Sequence, residues 1–103
     1  MIVVMTTVSR EEEGVSLAKG LVEGGLAACV QVLPQMRSIY RWKGEVQDDN
    51  EHLLLIKTVA EKFAAVEEYL KANHSYDVPE IVAVPASYVS DGYLKWVMGS
   101  LGL

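Results

Sequence analysis

Residues 38–44, Ser-Ile-Tyr-Arg-Trp-Lys-Gly, constrain the fold of this chain more than any other stretch. Met36, Ser38, Tyr40 and Trp42 alternate with Arg37, Ile39, Arg41 and Lys43, and this period of two in aromatic and β-branched residues suits a pleated strand. Lys43-Gly44 offers the residue types of a tight turn, and residues 45–58 return through Leu53-Leu54-Leu55-Ile56 as the second arm of a hairpin. A turn within residues 47–50, with Gly44 as a bulge, is the alternative placement. If the outgoing arm begins near Ala27 it is about sixteen residues, or roughly 50 Å, with a break or bulge at Pro34. A domain of 103 residues has a radius of gyration of roughly 13 Å. Such a hairpin projects beyond its own core and carries Ile39, Tyr40 and Trp42 into solvent, so a partner chain that covers them is the economical solution.

The rest of the chain alternates strand and helix signals. Residues 2–8 are a short apolar, β-branched run that fits a central strand buried on both faces. Ser9-Arg10-Glu11-Glu12 has the form of a capping box that opens a helix with Leu17, Ala18, Leu21 and Val22 on its apolar side, stopped by Gly24-Gly25. Residues 26–33 form a second strand leading past Pro34 into the hairpin. Thr58-Val59-Ala60-Glu61 repeats the capping-box pattern, and the helix it opens runs to about Asn73 and buries Phe63, Val66 and Leu70. Pro79 ends helical structure and opens a last strand over residues 80–85. Ser90-Asp91 caps a C-terminal helix with Leu94, Val97, Met98 and Leu101 at helical spacing. The order βαββαβ plus a helix predicts an α+β, ferredoxin-like split βαβ sandwich, one domain over residues 1–103, with helices on one face of an antiparallel sheet.

Composition narrows the function classes. A net charge of −5 with no local Lys/Arg cluster argues against a nucleic-acid partner held by phosphate contacts. One cysteine, Cys29, excludes an intrachain disulfide. No basic, apolar-core leader precedes Ile2 and no apolar run approaches the roughly 18 residues of a membrane span, so a cytoplasmic protein without membrane insertion is expected. No nucleophile elbow, phosphate loop or dinucleotide fingerprint is present, and no enzymatic activity or organic cofactor is expected.

Several residues carry two readings. Cys29, inside a strand, is either a small buried hydrophobe or a soft ligand for a thiophilic cation such as Cu(I). His74 ends the second helix and either interacts with its last carbonyls or opens a ligand-rich turn with Glu80. His52 reads as a surface residue and Asp48-Asp49 as a solvated charge run. The Tyr40/Trp42 face is either interface core or one wall of a cleft between subunits, with Lys57 and Tyr76 supplying polar groups.

Taken in order, Leu26-Ala27-Ala28-Cys29-Val30, residues 38–44, Leu53-Leu54-Leu55-Ile56-Lys57-Thr58 and His74-Ser75-Tyr76-Asp77-Val78-Pro79-Glu80-Ile81 resemble the CutA family of divalent-cation tolerance proteins over nearly the whole chain. The resemblance implies a ferredoxin-like subunit in a compact homotrimer built through the long hairpin, a cytoplasmic location in microbes, and an association with tolerance of copper and other divalent metals. By position it implies metal ligands Cys29, His74 and Glu80, and intersubunit cleft residues Tyr40, Trp42, Lys57 and Tyr76. Gln31 stands where the family pattern has Asn, and Ser75 where it has Pro, a change expected to loosen the turn that aims His74. The rival expectations are a regulatory trimer, similar in architecture to the nitrogen-regulatory PII proteins, with a small molecule in the intersubunit cleft, and a non-catalytic interaction scaffold.

Overall fold

A computed structural model describes all of residues 1–103. Its elements are β1 (Ile2–Val8), α1 (Glu11–Glu23), β2 (Cys29–Val32), β3 (Met36–Trp42), β4 (Glu45–Thr58), α2 (Phe63–Asn73, after one 3-10 turn at Ala60–Lys62), β5 (Val82–Pro85) and α3 (Asp91–Ser100). The sheet order is β2-β4-β1-β5, with β3 paired to the far half of β4. β4 runs antiparallel to both β1 and β2, and β1 antiparallel to β5, so each parallel pair has another strand inserted between its members. That is the split βαβ arrangement, ferredoxin-like, as the element order predicts.

Strand alternation sets the core. Val4 and Val8 on β1 and Leu54 and Ile56 on β4 point to one face, where they meet Leu17 and Leu21 of α1 and Val66 and Leu70 of α2. A second cluster joins Val97 and Leu101 of α3 to Ala28 and Val59. Val22 stays 44 % exposed, because the α1 face that meets the sheet is centred on Leu17 and Leu21 and the stripe is narrower than its sequence predicts.

Both expected capping boxes are absent. The N-caps of α1 and of the 3-10 turn are Arg10 and Val59, and neither makes a side-chain cap. Thr58 is fully buried and its hydroxyl instead donates to Leu26 O at 2.7 Å, tying the end of β4 to the entry of β2. His52 is also buried rather than on the surface, its Nδ1 2.9 Å from Leu33 O. The last strand begins at Val82, two residues later than expected.

The hairpin turns at Lys43-Gly44, with φ of 51° and 80°, and Trp42 faces Glu45 across it. Two successive positive φ values define the two-residue turn whose twist matches that of paired strands, and the alternative turn at 47–50 lies within the continuous strand β4. At the hairpin's base Val32 pairs with Leu54 but Met36 pairs with Glu51. Leu33, Pro34 and Gln35 therefore face only Leu53 and His52, one residue extra, a β-bulge at the proline. The extra residue reverses parity: Cys29 and Gln31 share a face with Met36, Ser38, Tyr40 and Trp42. Beyond β1 the two arms pair only with each other, and the molecule measures 44 × 26 × 23 Å with a radius of gyration of 14.2 Å.

Gly44→Ala is expected to lower stability by about 1 kcal/mol, because a Cβ there disfavours the left-handed backbone. Lys43→Asn, better suited to positive φ, is expected to be neutral or stabilising. Urea midpoints of both variants check this, and an unchanged Gly44→Ala midpoint would remove the turn from the determinants of register.

Candidate functional site

The segment after α2, residues 74–80, is pinned over the base of the hairpin by a chain of hydrogen bonds. The His74 amide completes α2 by donating to Leu70 O, and the residue then leaves the helix in an extended conformation. Its side chain is fully buried. Nε2 lies 2.8 Å from Thr7 O of β1, and Nδ1 is 3.1 Å from the Tyr76 amide nitrogen. A carbonyl only accepts, so the proton sits on Nε2, and Nδ1 accepts the Tyr76 N–H. Both ring nitrogens are thus engaged.

Ser75 fastens this segment to α1. Its N–H and its hydroxyl donate to the two carboxylate oxygens of Glu13 at 2.8 and 2.9 Å. Proline at that position has neither donor, so the departure from the family pattern adds an anchor where loosening is expected from sequence.

The Tyr76 ring packs on the His74 ring at 4.8 Å between centroids, and its hydroxyl donates to Glu51 Oε2 at 2.7 Å. Burial first, and then the bond to Glu51, push the Tyr76 phenol well above its ordinary range. On the adjacent hairpin arm the Tyr40 hydroxyl donates to Asp49, and that bond is the main cause of its own raised pKa. Both phenols act as neutral donors to carboxylates. Between arm and segment lies an open cleft of about 580 Å³, lined by Tyr40, Trp42 and Tyr76 together with Ser38, Ile39, Thr7, Glu51, Asp77, Val78 and Glu80.

Of the four residues expected to line a cleft between subunits, Tyr40, Trp42 and Tyr76 line this cleft within one chain. Lys57 is absent: it lies six positions from Glu51 along β4, roughly 20 Å away, with Nζ 5.4 Å above the Tyr93 ring. Cys29 is directly opposite Lys57, at that same far end.

The expected metal ligands do not meet within one chain. Lys57 also pairs with Val3 of β1, whereas His74 is anchored at Thr7, four residues and roughly 13 Å further along that strand. Glu80 opens into the cleft, while His74 lies behind Tyr76. No group of three or more His, Cys, Asp or Glu side chains is placed to hold a metal ion, and the Cys29, His74 and Glu80 of a single chain do not fit one.

Sequence reasoning missed Glu51, which is only 8 % exposed. The signal was its parity. On β4 it shares a face with Leu53, Leu55 and Lys57, the same face that Tyr40 and Trp42 reach after the bulge.

These features define a ferredoxin-like domain with a projecting hairpin and an aromatic cleft between that hairpin and residues 74–80. The chain belongs to the CutA1 divalent ion tolerance family, whose family model matches residues 2–100. It is 49 % identical over 100 residues to the divalent-cation tolerance protein CutA of Thermus thermophilus, covering 97 % of each chain. It is 46 % identical over 99 residues to the chloroplastic protein CutA of Arabidopsis thaliana, covering 96 % of this chain but 54 % of that longer relative. The solved structure of the periplasmic divalent cation tolerance protein CutA from Archaeoglobus fulgidus superposes with a TM-score of 0.94 at 34 % identity, covering 98 % of this chain and 99 % of that one.

Tyr76→Phe is expected to cost about 1 to 3 kcal/mol, because it leaves the buried Glu51 carboxylate without its donor. The raised phenol pKa carries a sign. It contributes stability that is fully present below the ordinary tyrosine value near 10 and is lost as pH rises toward the folded-state pKa. Alkaline unfolding followed above pH 10 is therefore expected to be less steep in Tyr76→Phe, and equal slopes would detach Tyr76 from the linkage.

Proposed function

We propose that this chain acts as a homotrimer in divalent-cation tolerance, as a non-catalytic protein whose subunits meet through the hairpin. The observation that carries the assembly is the apolar surface left bare on one chain. Ile39 is 69 % exposed, Val46 66 %, Trp42 47 % and Val82 47 %, and together they span the hairpin and the edge strand β5, an unpaired edge of the kind that partners cover. Membership of the CutA1 family supports the tolerance role. A cytosolic location belongs to the same reading and suits a single free cysteine. No helix is long and apolar enough to cross a membrane.

Weak binding of copper or another divalent cation by Cys29, His74 and Glu80 is the finer part of the proposal. It requires ligands from different subunits, and His74 must release one of its two hydrogen bonds to coordinate, which keeps the affinity low. Anaerobic Cu(I) titration is expected to show at most one site per subunit, weakened alike in Cys29→Ser and His74→Ala. Tight binding that ignores both substitutions would remove this ligand set.

A second reading, a PII-like regulatory trimer with a small molecule in the cleft, is favoured by the cleft's aromatic walls, with Lys57 entering only from a neighbouring subunit. Sedimentation at micromolar concentration checks the assembly itself. A trimer is expected, and Trp42→Ala is expected to weaken it by about 2 to 4 kcal/mol. A folded monomer at that concentration would overturn the assembly.

A further inference from the structure

A second cavity, of about 610 Å³, opens on the helix side of the sheet, between the start of α1 and the bulge at the base of the hairpin. His52 shares the alternation of Leu54 and Ile56, which point toward the helices. It stands directly across from Val8, the last residue of β1, so Ser9, Arg10, Glu11 and Glu12 follow beside it and line the same cavity. None of the lining residues belongs to the apolar surface given to the assembly, Ile39, Trp42, Val46 and Val82.

The polar groups around this cavity lack partners. Without a capping box α1 leaves the N–H groups of Glu11, Glu12 and Glu13 unpaired, since its first bond runs from Gly14 N to Arg10 O. The Arg10 guanidinium takes part in none of the chain's ion pairs, which join Arg37 to Asp48, Lys71 to Glu67 and His74 to Glu13. Water can satisfy an uncapped helix start, but the buried histidine is a separate demand. His52 is only 8 % exposed. Its Nδ1–H donates to Leu33 O, so in the neutral ring Nε2 is an acceptor, and it has no partner in the chain. Nor is Nε2 sealed in the core, where Thr6 Oγ1 is the one enclosed side-chain atom left unpaired. The histidine therefore turns an unpaired nitrogen on the cavity that it lines.

The lining carries both signs of charge. The free amides at the positive end of α1 and the Arg10 guanidinium attract an anion. Glu11, Glu12 and His52 Nε2 call instead for a donor, best a positively charged one. A simple anion would meet two carboxylates, a simple cation would meet the guanidinium and the helix dipole, and an apolar molecule would leave every one of these groups unpaired. A carboxylate and an ammonium on one carbon satisfy both sets together, and Val32 and Pro34 give a small side chain an apolar wall.

We propose that this cavity binds a small free α-amino acid, its carboxylate on the α1 amides and Arg10, its ammonium on His52 Nε2 and the first-turn glutamates. The inference goes beyond the role in cation tolerance and uses none of Cys29, His74 and Glu80.

His52 and His74 are the two histidines of the chain, so isotope labelling of the histidine ring nitrogens gives one reporter in the site and one outside it. In the wild-type protein at neutral pH, L-alanine is expected to shift the His52 Nε2 resonance saturably and to leave His74 in place. Propionate lacks the ammonium and ethylammonium lacks the carboxylate, and each is expected to bind about tenfold more weakly or worse, the share of one lost set of charge-assisted hydrogen bonds. Arg10→Gln is expected to weaken L-alanine by a similar factor with the sedimentation of the protein unchanged. His52→Asn, whose amide can still donate to Leu33 O, is expected to do the same by calorimetry.

Propionate that binds as tightly as L-alanine overturns the proposal by making this an anion site, and ethylammonium that does so overturns it by making this a cation site. So does an unsaturable response, a shift of both histidines alike, or an Arg10→Gln protein that binds L-alanine as before. If His52→Asn fails to fold, Arg10→Gln and the two half-ligands decide.

Discussion

Fourteen residues of β4 hold the fold together by satisfying backbone groups of three other strands. Its second half pairs with β1 on one edge and β2 on the other, and its first half with β3. Backbone donors and acceptors that leave water must find partners, and here a single uninterrupted strand supplies most of them. The helices α1 and α2 then need only one apolar stripe each, because the alternation of β4 presents Leu54 and Ile56 at fixed spacing. The same alternation puts Glu51, Leu53, Leu55 and Lys57 on the opposite face, so core and candidate site are two sides of one ladder.

That division explains what was legible in the sequence. The hairpin, the element order and the buried positions Val66 and Leu70 follow from periodicity, which local sequence records directly. The capping boxes do not form, because their pattern names residue types that can cap a helix without recording what competes for them. The Thr58 hydroxyl has a stronger claim from Leu26 O, thirty-two residues away in sequence. Tyr40 and Trp42 were legible as one face of the hairpin, because alternation records it directly. That Tyr76 shares a cleft with them within one chain while Lys57 lies at the far end of β4 depends on where each strand begins.

The site gains its order from α1 as well as from the sheet. Glu13 holds Ser75, His74 holds the Tyr76 amide, and the Tyr76 hydroxyl holds Glu51. The aromatic wall is therefore positioned through a relay that starts on a helix outside the cleft, so rigidity at the site depends on the sequence of a distant element. His74 serves in that relay as donor to one strand and acceptor from the next residue but one, a role for its two nitrogens that differs from metal ligation.

The single extra residue at Leu33-Pro34-Gln35 can be regarded as a phase boundary between two independently dictated frames. The Lys43-Gly44 turn counts pairs from the tip downward, while the β2 ladder counts them from the base upward, and the two tallies disagree by one. A chain shortened by one residue at this junction would bring the two tallies into step, because two residues would then face Leu53 and His52 and every pair of both ladders would stand. What the shortening removes is the local bend and added twist that a bulge supplies. Length at this junction, with no change in any hairpin residue, thus sets the direction in which the projecting arm leaves the sheet.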